Sequence, residues 1–312
     1  MTKEKYLENA YKNTMKKHKG NKKAQLITTI VFVIIASITA YFGKDIVGDN
    51  SGAHVGTPSG NIEISYLDVG QGDAAYIRVN EIDILIDAGP KSDADKLMKQ
   101  LEEKNIDDFE IVIATHPHED HIGGMTRVFE RYDVESFYMP KVTNTTKTFE
   151  NMMKAVSNEG LKAKTIKEGT SFDLGEGTKF IAYSPMKDSY DDFNDYSPIM
   201  KLTYGNKSFI FTGDAEKAVE EEVMKKYSTE LKADVIKFGH HGSSTSSTKD
   251  FIEAISPEYG IISCGLDNSY GHPHREILDL INTKGIEAYR TDTQGQITVT
   301  SDGNTINITT QK

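Results

Sequence analysis

Only one of the 312 residues is cysteine, Cys264, and none is tryptophan. A single thiol excludes any intrachain disulfide and any cysteine-rich zinc site, so a transition metal here would have to be held by histidine and carboxylate. The missing tryptophan excludes little beside 13 phenylalanines and 15 tyrosines, and a chain of 312 residues can bury a sizeable core as one large domain or two small ones. Positive charge is scarce too: 36 Lys and Arg face 47 Asp and Glu, for a net charge of −11. The deficit is uneven. Eight lysines against Glu4 and Glu8 give residues 1–24 a charge of +6, which leaves −17 for everything after them. An acidic body does not attract nucleic acid at long range. Bound dications would reverse that field locally, so nucleic acid stays open as a substrate. No internal repeat is present, and the one tract of biased composition is a glycine-rich stretch near the N-terminus.

Long apolar runs are also few, and one stands out. Residues 26–42, LITTIVFVIIASITAYF, carry no charge. Their 17 residues reach the lower end of what spans a bilayer and exceed the roughly 7–15 of a signal-peptide core. The lysines before the run place the N-terminus in the cytoplasm and the remainder outside. Ile38-Thr39-Ala40 is a poor cleavage site, which favours an uncleaved anchor over an export signal, with a buried core helix as the third reading. The expected organisation is a basic cytoplasmic head (1–24), one transmembrane helix (25–43), a flexible linker with four glycines (44–60) and a globular domain (61–312). That places the protein in the cell membrane as a single-pass protein, with the domain extracellular.

The globular part alternates strand and helix patterns. Strands are expected over 62–67, 74–79, 82–86 and 111–114, and a helix over 92–104 with Ser92 as its N-cap. Further strands at 199–204, 208–211, 234–238 and 260–264 alternate with helices at 215–227, 249–255 and 275–283. Hairpins and helices interleave through both halves, which fits one α/β domain of two sheets covered by helices better than two separate folds.

Chemistry concentrates after the strand at 111–114, in Thr115-His116-Pro117-His118-Glu119-Asp120-His121-Ile122-Gly123-Gly124. Three imidazoles and a carboxylate within six positions suit zinc and its first-row neighbours far better than calcium or magnesium. The glycine pair is expected to let the chain turn tightly. Seven of the nine histidines fall into three short groups, 116/118/121, 240/241 and 272/274, each after an apolar run. Surface histidines would scatter; side chains at strand ends along one sheet edge converge. Asp87 and Asp214 likewise end buried strands beside a glycine. Asp214 precedes a helix and would serve as its N-cap if it were not a ligand. Ser243 to Thr248 form a polar loop that either binds phosphate or caps the next helix. The loops 141–149 and 186–197 are long and polar, and substrate choice is expected to reside there.

His116-x-His118-x-Asp120-His121, with Gly123-Gly124, Asp87, Gly213-Asp214 and His240, resembles the metallo-β-lactamase-fold hydrolases. More narrowly, Asp68-Val69-Gly70-Gln71-Gly72-Asp73, Phe211-Thr212-Gly213-Asp214-Ala215-Glu216, His240-His241-Gly242-Ser243 and Gly271-His272-Pro273 resemble the catalytic domain of ComEC-type competence proteins. The resemblance runs from about residue 61 to the C-terminus. It implies an αββα sandwich with two divalent transition-metal ions at one edge, zinc first and manganese as the alternative. His116 and His118 would bind one ion, Asp120, His121 and His240 the other, with Asp214 bridging and Asp87 holding the ligand loop by hydrogen bonds. Asp120 would also orient the metal-activated water that attacks. The residues alone do not decide between His240 and His241; related sites favour His240 as ligand, with His241 behind it or facing substrate. His272 is expected to face a substrate oxyanion near the helix that starts at Arg275. Two departures accompany the resemblance. Residues 122–213 contain no histidine, where many relatives have a further ligand; Asn194, Asp195 and Ser197 stand in that region. Full competence channels also carry many membrane spans, and this chain has one candidate. The implied activity is phosphodiester hydrolysis, nucleic acid included, with an esterase for a phosphorylated cell-envelope component and a non-catalytic accessory of DNA uptake as rivals.

Overall fold

The structure is a computed structural model that describes residues 60–312, so the expected head, transmembrane anchor and nearly all of the linker lie outside the described residues. Among the described residues no helix is long and apolar enough to cross a membrane. The chain runs β1 (Ile62–Tyr66), β2 (Ala75–Val79), β3 (Ile82–Ile86), α1 (Ala94–Glu102), β4 (Asp108–Phe109), β5 (Ile111–Ile113), α2 (Glu119–Ile122), α3 (Met125–Arg131), β6 (Asp133–Val134), β7 (Phe137–Met139), α4 (Lys147–Asn158) and β8 (Lys164–Thr165). It continues through β9 (Ser171–Phe172), β10 (Thr178–Ala182), β11 (Met200–Tyr204), β12 (Lys207–Phe211), α5 (Lys217–Tyr227), β13 (Val235–Lys237), α6 (Lys249–Ile255), β14 (Tyr259–Ile262), α7 (Arg275–Lys284), β15 (Glu287–Arg290), α8 (Thr291–Gln294), β16 (Ile297–Ser301) and β17 (Ile306–Thr310).

Two mixed sheets result. One has the order β17-β16-β1-β2-β3-β5-β7-β8, the other β15-β14-β13-β12-β11-β10-β9. Strand alternation makes the layers. Ile84 and Ile86 of β3 point between the sheets with Phe209 and Phe211 of β12, in a core made by strands and loops of both sheets. Leu85 of β3 and Val112 of β5 point the other way, onto Leu97, Val128 and Met152 of α1, α3 and α4. Ile210 and Ile236 of β12 and β13 meet Val219, Phe251 and Ile277 of α5, α6 and α7. The layering is therefore helix, sheet, sheet, helix.

Two local expectations differ. Ser92 does not cap α1: residues 91–93 form a 3-10 turn, and the Ser92 hydroxyl donates to Asp93 at 2.8 Å. Gly123 and Gly124 have ordinary right-handed dihedrals, so no turn requires them. They permit close approach instead. A Cβ would lie 2.2 Å from the Lys91 nitrogen at Gly123 and 2.3 Å from the Ala88 oxygen at Gly124. This packs the histidine-rich segment down onto the end of β3.

Candidate metal centre

Strands β3, β5 and β7 are parallel in the first sheet, and β12, β13 and β14 in the second. Side chains leaving the carboxyl ends of such strands meet outside one edge of the fold. Asp87 follows β3, the 115–121 segment follows β5, Asp214 follows β12 and His240-His241 follow β13. Asp73 arrives from the opposite direction: it precedes β2, which is antiparallel to β3, so its start lies at the same edge. Asp87, His240 and His241 all take left-handed dihedrals, with φ of 60°, 48° and 55°. Such residues cost energy outside glycine and gather at functional sites.

The centre of the cluster is one oxygen. Asp214 Oδ2 lies 3.2 Å from His121 Nε2, 3.5 Å from His241 Nε2, 3.7 Å from His240 Nε2 and 3.8 Å from His116 Nε2. His241 Nε2 is also 3.2 Å from Asp120 Oδ2, and His116 Nε2 stands 3.0 Å from His118 Nδ1. Donor atoms of Asp73, His121, Asp214 and His241 lie within 4.8 Å of one another, all buried.

A second layer of contacts sets which nitrogen of each ring faces inward. Asp87 Oδ2 takes a hydrogen bond from His121 Nδ1 at 2.8 Å and from the Thr115 hydroxyl at 2.7 Å, while Oδ1 accepts the Thr115 N–H at 2.8 Å. That leaves His121 Nε2 with its lone pair inward. Having donated to Asp87, Thr115 Oγ1 is left to accept from His116 Nδ1 at 3.1 Å, with Ser197 Oγ on the other side at 3.2 Å. His241 Nδ1 donates to the Ser263 carbonyl at 3.0 Å, with Asp73 Oδ1 at 3.2 Å. Asp73 is itself ion-paired with Lys237, whose side chain is almost wholly buried.

The residues fit a cation. His121 Nε2 and Asp214 Oδ1 are buried without a hydrogen-bond partner, a state that native proteins avoid unless something else satisfies the atom. Charge points the same way. Burial raises the Asp214 pKa, but His121 and His241 outweigh it and hold the carboxyl well below its usual range. Burial opposes charge on His241 too, yet Asp214 and Asp73 lift its pKa to about 9. His121 is likewise held well above its usual value against burial, by Asp214, Asp87 and Asp120. The carboxylates thus favour positive charge at His121 and His241, whereas burial and the neighbouring His121 hold His116 well below its usual value, a neutral imidazole suited to a ligand.

The structure sorts the expected site residues. His116, His118, Asp120, His121 and Asp214 converge. Of the adjacent pair, His241 is the buried one turned to Asp120, while His240 is partly exposed, its Nδ1 3.3 Å from Glu216 and 3.2 Å from Thr245. Asp214 caps no helix, since α5 starts at Lys217. Ser197 sits behind His116 and accepts the Asp214 N–H at 3.1 Å; Asp195 accepts the Glu216 N–H and does not approach the cluster. The polar loop after His241 is tied inward, with Glu220 accepting the N–H groups of Ser247 and Thr248 and the Thr248 hydroxyl. A cleft of about 370 Å³ opens over the cluster, lined among others by His118, Asp120, Asn194, His240, His241 and His272. Sequence reading gave no role to Asp73, Lys237, Gln71 or Glu216. The signal for Asp73 was its place at the end of Gly70-Gln71-Gly72-Asp73, and for Lys237 a lone charge in an apolar strand.

The profile of the Metallo-beta-lactamase superfamily matches residues 67–266. ComE operon protein 3 of Bacillus subtilis (strain 168) is 32% identical over 253 residues, covering 75% of this chain and 32% of that protein. Competence protein ComA of Neisseria gonorrhoeae is 26% identical over 248 residues, covering 77% of this chain and 32% of its own length. The chain thus spans about a third of the length of these relatives. Among solved structures, the metallo-beta-lactamase fold protein YhfI from Bacillus subtilis superposes with a TM-score of 0.53 at 12% identity, covering 77% of this chain and 100% of that one, a likeness of fold alone. With this architecture, this cluster of donors and a profile match over most of its length, the chain belongs to the metallo-beta-lactamase superfamily.

Proposed function

We propose that the protein is a membrane-anchored hydrolase that cleaves phosphodiesters with two divalent transition-metal ions, zinc before manganese. One observation carries the reading: four imidazole nitrogens surround Asp214 Oδ2 at 3.2 to 3.8 Å, and with that carboxylate they make five donors where one tetrahedral ion takes four. His116 and His118 would hold one ion, Asp120, His121 and the buried His241 the other, with Asp214 shared; His240, expected from the resemblance as the ligand, keeps its Nε2 3.7 Å from the same oxygen and stays within reach of the ions. Ions there would lower the pKa of a water and offset charge developing on phosphoryl oxygens. The chain's own groups do the rest. Asp120 lines the cleft and is held ionised by His121 and His241 against burial, so it accepts a hydrogen bond from the attacking water and orients it. Asp87 and Asp73 keep His121 and His241 in the right tautomer. Gln71 and His272, 3.4 Å apart across the cleft wall, face the phosphoryl group.

The full chain in detergent, loaded with zinc or manganese, should hydrolyse bis(p-nitrophenyl) phosphate and at least one of DNA and RNA; inert behaviour toward all three would refute the activity. Asp120→Ala should abolish turnover while retaining the fold. Metal analysis should find two ions per chain, and none would favour the non-catalytic accessory of DNA uptake.

The esterase reading also has support. Among the described residues no lysine or arginine lines the cleft, and the body is acidic, which suits a short substrate better than a long polyanion. Parallel assays on DNA and a choline phosphodiester separate the two. The anchor at 26–42, with the N-terminus cytoplasmic and the domain outside, rests on the length of that run and its flanking lysines; release by alkaline extraction would overturn it.

A further inference from the structure

Gln71 lines the cleft and joins its two walls. It stands on the loop between β1 and β2 of the first sheet and reaches the loop that follows β14 of the second. Its Oε1 accepts the Gly265 N–H at 3.0 Å, and its Nε2 stands 3.4 Å from His272 Nδ1. The two loops meet so closely that a Cβ on Gly265 would lie 2.8 Å from the Gln71 backbone nitrogen.

These contacts have a polarity that runs one way. A backbone N–H only donates, so the Gln71 side-chain oxygen has to face Gly265 and its NH₂ has to face His272. An amide NH₂ also only donates, so His272 Nδ1 has to accept and the ring proton has to sit on Nε2. A ring protonated on both nitrogens would set N–H against N–H. Burial and the neighbouring His241, His240 and His274 act in the same direction, against the pull of Asp214, and lower the His272 pKa to about 4. His272 is thus a neutral imidazole on the cleft wall with one N–H to give, and nothing among the described residues accepts it.

The ring is also held still. Tyr270 lies nearly parallel to it, at 18° with centroids 5.6 Å apart. Asn268 fixes the backbone beneath: Oδ1 accepts the His272 N–H at 3.0 Å, and Nδ2 donates to the carbonyls of His272 at 2.6 Å and Gly265 at 2.9 Å. The N–H that orients Gln71 and the imidazole that Gln71 orients therefore belong to one pinned loop. A donor fixed before substrate arrives stabilises charge on an oxygen without having to reorganise.

We propose that Gln71 is a positioning residue: it carries the polarity of the Gly265 N–H to His272 and holds that imidazole as the Nε2–H tautomer, so that His272 gives a hydrogen bond to an oxygen of the phosphoryl group as a neutral donor. A nitrogen lone pair in that place would repel the same oxygen. This rests on the phosphodiesterase reading and assigns roles within it.

The test uses the zinc-loaded full chain in detergent and two readouts. In ¹⁵N NMR of the imidazoles, with His272→Gln identifying the resonances, the wild type should show a bare Nδ1 and a protonated Nε2 at His272. Gln71→Glu should exchange them, because a carboxylate accepts from the Gly265 N–H and from His272 Nδ1–H alike. Turnover of bis(p-nitrophenyl) phosphate is the second readout. His272→Ala should lower kcat about a hundredfold, and Gln71→Glu alone should cost nearly as much. Made in the His272→Ala background, Gln71→Glu should cost no more than about twofold. A proton on Nδ1 in the wild type, a tautomer that Gln71→Glu does not move, or an equal loss in both backgrounds, as a direct charge effect on the substrate would give, would each overturn the assignment. A wild type inert toward phosphodiesters overturns the hydrolase reading and the donor's role with it, whereas the wrong tautomer in an active enzyme overturns the role of Gln71 alone.

Discussion

Asp87→Asn changes one atom and, on this geometry, disables a ligand that it does not touch through the metal. Asp87 sits at φ 60°, a conformation asparagine tolerates, so the backbone is not strained by the substitution. Oδ1 can still accept the Thr115 N–H at 2.8 Å. The other oxygen becomes an NH₂ group facing two donors, the Thr115 hydroxyl and His121 Nδ1. The hydroxyl can rotate and accept. The imidazole cannot, unless its proton moves from Nδ1 to Nε2, the nitrogen that points at Asp214 3.2 Å away. A protonated Nε2 is no ligand. Loss of such an orienting partner weakens metal binding by about 10- to 100-fold, or about 1.4–2.7 kcal/mol. Competition against a chromogenic chelator measures this directly, with circular dichroism to confirm the fold. Affinity within about threefold of wild type would refute the claim that Asp87 sets the His121 tautomer.

Other outcomes follow from the same contacts. Lys237→Met strips Asp73 of its buried cation and should destabilise the domain by about 3–5 kcal/mol in urea unfolding; a loss below about 1 kcal/mol would show that His241 neutralises Asp73 alone. Ser197→Ala leaves the Asp214 N–H without its acceptor and should cost about 1–3 kcal/mol, read as a lower unfolding midpoint. Glu220 is buried, and burial lifts its pKa to about 7 from 4.5. The folded state then holds a proton that the unfolded state has released, so its share of stability is complete below pH 4.5 and lost as pH rises through about 7. Across that window the loss is roughly 3 kcal/mol. Glu220→Gln should flatten this part of the stability–pH curve, and an unchanged slope would count against the assignment.

Much of this is legible in the sequence. The alternation of Ile84, Leu85 and Ile86 marks a strand with two faces, and a histidine cluster directly after a buried strand marks a strand-end site. What stayed hidden depends on pairing or dihedrals. Asp73 comes before its strand, and only the antiparallel pairing of β2 with β3 carries it to the edge where Asp87 ends. His240 and His241 are adjacent and both bring Nε2 toward Asp214, through two successive left-handed residues that no local residue type announces; only His241 is buried there. Lys237 is a lone charge in an apolar strand, and its partner is 164 positions earlier. Tyr270 carries no motif, and its meaning comes from stacking on His272 beside the cleft.

The donors are divided between two sheets, and that division governs when a site exists at all. Asp120 and His241 touch across 121 positions of chain, and Asp87 and His121 come from one sheet while Asp214 and His241 come from the other. A fragment ending before β12 would display the whole histidine-rich signature and have nothing to close it. An ion held at Asp214 would therefore act as a rivet, locking the two halves only after both have formed and met, so that occupancy would record that assembly of the sandwich is complete.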